Sequence, residues 1–180
     1  LAWTVLTIPA VAVYIAFLQR QAAAPKITHC RGANRLVRYL HKFAKDDAHV
    51  LVFHKFRGLL VLYAVGDSAY SAGEYEGLAL RGGFVLIAER GPSASPRLGG
   101  KCQVLDYYCR RHRRVCRSTY TAELQNMIDI CNQALLARSM LVELEIGPTA
   151  PSKLAEIMDT VQHYIPVECV VDVRAVYDSI

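Results

Sequence analysis

The chain has little glycine and proline, eleven and seven in 180 residues, and only 21% of its positions are charged. That scarcity excludes collagen-like, low-complexity and disordered classes, and the 53% of residues that are hydrophobic can bury a real core. The length leaves no room for a second large domain, so one domain, alone or with an appendage, is expected. No cysteine framework is visible: Cys30, Cys102, Cys109, Cys116, Cys131 and Cys169 are scattered through a chain too long to need disulfide staples. With no secretory signal expected ahead of them, they read as reduced thiols. Cys109, His112 and Cys116 stand at C-x2-H-x3-C spacing, but a zinc site needs a fourth ligand and no second pair supplies it. Internal repeats and low-complexity tracts are also missing.

What is present is unevenly distributed charge. Of a formal +5, the stretch from Arg97 to Arg117 carries +6, with seven basic residues against Asp106, and the rest sums to −1. Such a cluster attracts a polyanion by releasing counterions, without reading sequence. A solvated hairpin arm would show the same run of charge.

Residues 1–18 carry no charge and are just long enough to suggest a membrane span, but Pro9 sits in the middle. A buried helix pair broken at Pro9 explains the run equally well. After Ala22-Ala23-Ala24-Pro25, residues 28–45 place Ala33, Leu36, Val37, Leu40 and Phe43 at helical spacing. Asp46 and Asp47 close that amphipathic helix, and the texture changes there, which puts a domain boundary at 48/49. Residues 50–67 predict a short extended piece and a long buried strand ending at Asp67. Strands follow at 80–89 and 101–109, the second after a loop-like GPSASPRLGG, so an antiparallel meander is expected. Ser118 or Thr119 offers an N-cap for a long helix to about Glu145. A shorter helix at 152–163, a strand from Pro166 and a helix beginning at Arg174 complete the order.

Three carboxylates stand where burial makes a carboxylate expensive. Asp67 ends an apolar strand and shares a face with Leu59, Val61, Tyr63 and Val65. Glu123 heads a helical stripe through Met127, Ile130, Cys131 and Ala134, and Asp172 ends the last strand. If the first and last strands are neighbours under the helix, the acids converge on a hard-oxygen magnesium site needing neither Cys nor His. Strand-end solvation or helix N-terminal charge accounts for each acid singly.

GLLVLYAVGDSAYSAG, an apolar run ending in Asp and followed by a small residue, Ala and an aromatic, resembles the first-strand motif of copia-type ribonuclease H domains. Arg81-Gly82-Gly83-FVLI resembles that family's second strand, RRVCRSTYTAEL its basic stretch and catalytic-helix start, and IPVECVVDVRAVYDSI its third-acid strand. Upstream, LAW, PAVAVYIAFLQRQAAAP and NRLVRYLHK resemble the segment between polymerase and nuclease in these retrotransposon polyproteins. The motifs are short, and the specificity lies in their succession along nearly the whole chain. Two departures stand out: Ile8-Pro9-Ala10 where the family usually has Arg-Pro-Asp, and Val173-Arg174 after the third acid.

The resemblance implies an α/β, ribonuclease H-like mixed sheet at 49–180, a three-strand meander plus a further strand packed with helices, behind a helical connection segment at 1–48. It also implies that the last strand and the helix bearing a fourth metal ligand would lie beyond Ile180. The catalytic and metal-binding acids would be Asp67, Glu123 and Asp172 with two Mg2+ ions. The substrate would be the RNA of an RNA–DNA hybrid, with Arg110, Arg111, Arg113, Arg114 and Arg117 near backbone phosphates. An intracellular setting, nucleus or cytoplasm, goes with that reading. The competing class is a repurposed, non-catalytic subunit of a larger assembly, a ribonucleoprotein or a membrane complex touched through residues 1–22.

Overall fold

Runs of leucine, valine and aromatic residues form three ten-residue strands in the computed structural model, which describes residues 8–45, 53, 55–69, 79–90, 101–112, 115–160 and 165–172. They are β1 (Leu60–Ala69), β2 (Leu80–Glu89) and β3 (Cys102–Arg111). A long helix, α3 (Thr119–Ile146), follows, with the Ser118 hydroxyl accepting from the Thr121 amide at 3.1 Å as its N-cap. It stops at Gly147, whose φ of +87° a side chain would resist. α4 (Pro151–Met158) starts on a proline, and β4 (Val167–Val170) is the last strand.

The sheet order is β3-β2-β1-β4, antiparallel between the first three strands and parallel between β1 and β4. A parallel neighbour requires a long crossover, which α3 and α4 provide. The result is an α/β, four-stranded mixed sheet packed with helices. Its core is Leu62 and Ala64 of β1 and Val85 and Ile87 of β2, lying under Met127, Ile130 and Ala134 of α3. Those three helical positions fall on one stripe, so a single face covers the sheet. Each large side chain buried there contributes about 1.5–3 kcal/mol.

Two paired glycines let α3 approach. Gly66 and Gly83 face each other across β1 and β2. A Cβ at Gly83 would lie 2.9 Å from the Ile130 Cδ1, and one at Gly66 would lie 3.1 Å from the Asn126 side-chain nitrogen. The helix therefore sits closer to this part of the sheet than any larger residue would permit.

Ahead of the sheet, a 3-10 turn at Pro9–Val11 leads into α1 (Ala12–Arg20), and α2 (Ile27–Phe43) folds back on it. Val11 and Ile15 pack on Leu36, with Leu18 and Leu40 at the margin, while α1 also touches β3. Pro9 starts this helical segment, since its missing N–H costs nothing at a first turn. Among the described residues no helix is long and apolar enough to cross a membrane. Residues 1–7 lie outside them.

Three local expectations change. β1 continues two residues past Asp67, because Ser68 still pairs with Arg81 and Ala69 with Leu80. On α2 only Leu36 is buried, and Val37 is 52% exposed, because the nine-residue α1 covers one row of the apolar face and not two. α4 ends at Met158. The boundary at 48/49, the GPSASPRLGG loop and the helix from Arg174 fall outside the described residues.

Candidate metal centre

The register of the parallel pair brings the two aspartates together. Leu62 stands opposite Val167 and Val65 opposite Val170, and carrying the same offset forward puts Asp172 beside Asp67. Glu123 arrives from the first turns of α3, where its Oε1 accepts from the Ser68 amide at 3.0 Å. One oxygen from each of the three carboxylates lies within 4.8 Å of the others, a group that could hold a metal ion. Among the described residues no other group of three or more His, Cys, Asp or Glu does so; Cys109, His112 and Cys116 form none.

The three acids are not equally buried, contrary to expectation. Glu123 is 4% exposed, whereas Asp67 and Asp172 are exposed. The reason for Asp67 is the pleat: Leu62, Ala64 and Gly66 face α3, so Asp67 projects from the opposite side. There it borders a cavity of about 410 Å³ shared with Pro9, Val13, Phe84, Tyr107 and Tyr108. Burial, and then the charges of Asp67 and Asp172, push Glu123 up to about 7 against the opposing effect of the Ser68 amide. Three oxygen donors, one of them unwilling to ionise beside the other two, are a donor set that a divalent cation would relieve.

Ser68 ties this corner together. Its hydroxyl is 3.3 Å from the Leu80 carbonyl and 3.2 Å from His112 Nε2. Burial and the nearby Arg81 and Arg110 lower the pKa of His112, so the ring is neutral. Gln125 also hydrogen-bonds the His112 side chain and opposes that lowering, so the direction of the Ser68–His112 bond follows the ring's tautomer.

Asn126, one turn after Glu123, is fully buried and satisfied on all sides. Its amide nitrogen donates to the Asp67 carbonyl at 2.8 Å and the Gly82 carbonyl at 2.9 Å, and its oxygen accepts from the Tyr108 hydroxyl at 2.7 Å. Arg81, 8% exposed, forms an ion pair with Asp129 of α3. Neither feature had a sequence signal, because a polar residue on a helix has the same letter whether it faces water or a sheet. The Arg81-Gly82-Gly83 run was the nearest pointer.

The expected basic face is only partly available. Arg110 lies 3.8 Å from Asp129 and over the Tyr108 ring at 4.6 Å, so it is engaged within the fold. Arg111 ends β3 half-buried, and Arg117 is exposed. Arg113 and Arg114 lie outside the described residues. No protein-family model matches the chain, and neither a curated protein nor a solved structure does.

Proposed function

We propose that the chain is a ribonuclease H-like domain derived from a copia-type retrotransposon polyprotein, and that Asp67, Glu123 and Asp172 serve magnesium-dependent hydrolysis of RNA in RNA–DNA hybrids. The convergence of three carboxylates, from β1, from α3 and from Asp172 two residues beyond the end of β4, carries this reading. Magnesium, when bound, supplies the Lewis-acid stabilisation of attacking and leaving oxygens that phosphodiester hydrolysis needs. The chain's own part is positional. Exposed Asp67 and Asp172 would hold the cation from the solvent side, while the Ser68 amide holds Glu123. Exposed Arg117, with Arg113 and Arg114 beside it in sequence, supports the approach of a phosphate backbone.

The test is cleavage of labelled RNA in a hybrid, with magnesium and with chelator, against Asp67→Asn. Magnesium-dependent cleavage that disappears in the variant is the expected result. A second reading, a non-catalytic interaction subunit, draws on Leu136, Met140 and Leu144, which stand at i, i+4 and i+8 on α3 and are 57–82% exposed. A folded chain that neither cleaves the hybrid nor gains thermal stability from magnesium would select that reading.

A further inference from the structure

Residues 1–45 contain seven Lys and Arg and not one Asp or Glu, whereas residues 46–180 sum to −2. The first 45 residues therefore carry +7 against a net charge of +5 for the whole protein. Six of the seven, Lys26, Arg31, Arg35, Arg38, Lys42 and Lys45, lie on or at the ends of α2, and all six are exposed. Between α1 and α2 runs a groove of about 520 Å³, lined by Tyr14, Phe17, His29, Arg35, Leu36 and Tyr39. Tyr14 is 61% exposed, Tyr39 46% and Phe17 40%, so the rings line the groove without being packed away. None of these residues belongs to the acid cluster.

We propose that the α1–α2 hairpin is a separate binding surface for single-stranded nucleic acid, whose bases stack on Tyr14 and Tyr39 while the α2 arginines hold its phosphates. Ring faces accept any base because every base has a π-face, and a basic track follows the backbone beside them. Arg35 lies in the groove itself, where it can meet a phosphate or lie flat on a base, and Arg31, Arg38 and Lys42 extend the charge along the helix. Pockets that hold organic ligands span about 300–1,000 Å³, so the groove has room for a base and its sugar. A duplex keeps its bases stacked on each other and offers the rings nothing. A lipid surface would meet the charge, but it favours a convex apolar face. On α2 one apolar row is spent on α1 through Leu36, Ile27 and Val37 stay exposed, and the rings of Tyr14, Phe17 and Tyr39 line a concave groove.

The proposal is independent of catalysis, so binding is measured in chelator, where hydrolysis is off. The probe is a fluorescent oligothymidylate, followed by anisotropy over a salt series, with a hairpin duplex and phosphatidylserine vesicles in parallel arms. The full chain is expected to bind the single strand more tightly than the duplex. Contacts to four phosphates would give a logarithmic salt slope of about −3. Tyr14→Ala with Tyr39→Ala should weaken single-strand binding about tenfold or more, and Tyr14→Phe with Tyr39→Phe should retain it. Arg31→Glu with Arg38→Glu should flatten the salt slope. Circular dichroism and the melting temperature check that each variant is folded. Unchanged affinity in the folded double alanine variant, equal binding of duplex and single strand, or binding to vesicles but not to oligothymidylate would overturn the proposal. Failure of hybrid cleavage would leave it standing.

Discussion

Glu123 couples the acid cluster to pH. Burial, with Asp67 and Asp172 nearby, raises its pKa from 4.5 to about 7, so the folded chain holds a proton there that the unfolded chain has released. Between those values folding is favoured by low pH: stability is full below about 4.5 and declines as pH rises to about 7. At roughly 1.4 kcal/mol per unit the cost above pH 7 is of order 3 kcal/mol for so buried a group. Glu123→Gln keeps an oxygen to accept from Ser68 and removes the charge. In urea denaturation without metal, we expect this variant to match the parent at pH 4.5 and to exceed it by about 2–3 kcal/mol at pH 8. Magnesium should reverse the order at pH 8, stabilising the parent and leaving the variant unmoved. Equal stabilities at both pH values would show that Glu123 ionises freely and that the cluster does not strain it.

The contact between α3 and the sheet decides whether the cluster holds its shape. Asn126 bonds to β1, β2 and β3 at once, directly over the glycine pair that admits it. Asn126→Ala would leave the Tyr108 hydroxyl and the two carbonyls facing a small cavity, at a cost of about 3 kcal/mol. The melting temperature should fall, and magnesium should restore less of it than in the parent, because Glu123 rides on the same turn. At the far side of the contact, the thiols of Cys131 on α3 and Cys169 on β4 lie 2.8 Å apart, and a hydrogen bond from Cys131 lowers the pKa of Cys169. The more ionised thiol of the pair is the better nucleophile. Treatment with a diazene-dicarboxamide thiol oxidant, which takes up the two hydrogens, is therefore expected to join Cys131 to Cys169. The check is a mass lower by about two hydrogens and a peptide linking α3 to β4. If other cysteines pair first, the two elements are not held as close as the geometry has them.

Over the whole molecule, legibility followed the range of the interaction. The succession of strands and helices could be read because period-two and period-3.6 patterns are local, and β2 and the Ser118 cap fell where those patterns end. The three acids could be read because each stands at the end or the head of an apolar run. Asn126, the Arg81–Asp129 pair and the Gly66–Gly83 contact could not, since each depends on which segment lies opposite in space. The acid-free first 45 residues were in plain view, but they cancelled against the rest in a sum that isolated only the Arg97–Arg117 stretch. The second half of α3 poses the remaining question at this scale. Its buried stripe stops at Ala134 except for Val142, and Leu136, Met140 and Leu144 line up on an exposed face instead. Exposed substitutions away from special features change stability by about 0.5 kcal/mol or less, whereas truncating packed leucines costs several times that. The triple variant Leu136→Gln, Met140→Gln, Leu144→Gln should therefore unfold at nearly the parent's urea midpoint, and it should aggregate less at high concentration, because the apolar stripe is what favours association. A drop of more than about 2 kcal/mol, beyond what three exposed sites can account for, would mean that another part of the chain packs on this face and that it is not a surface for partners.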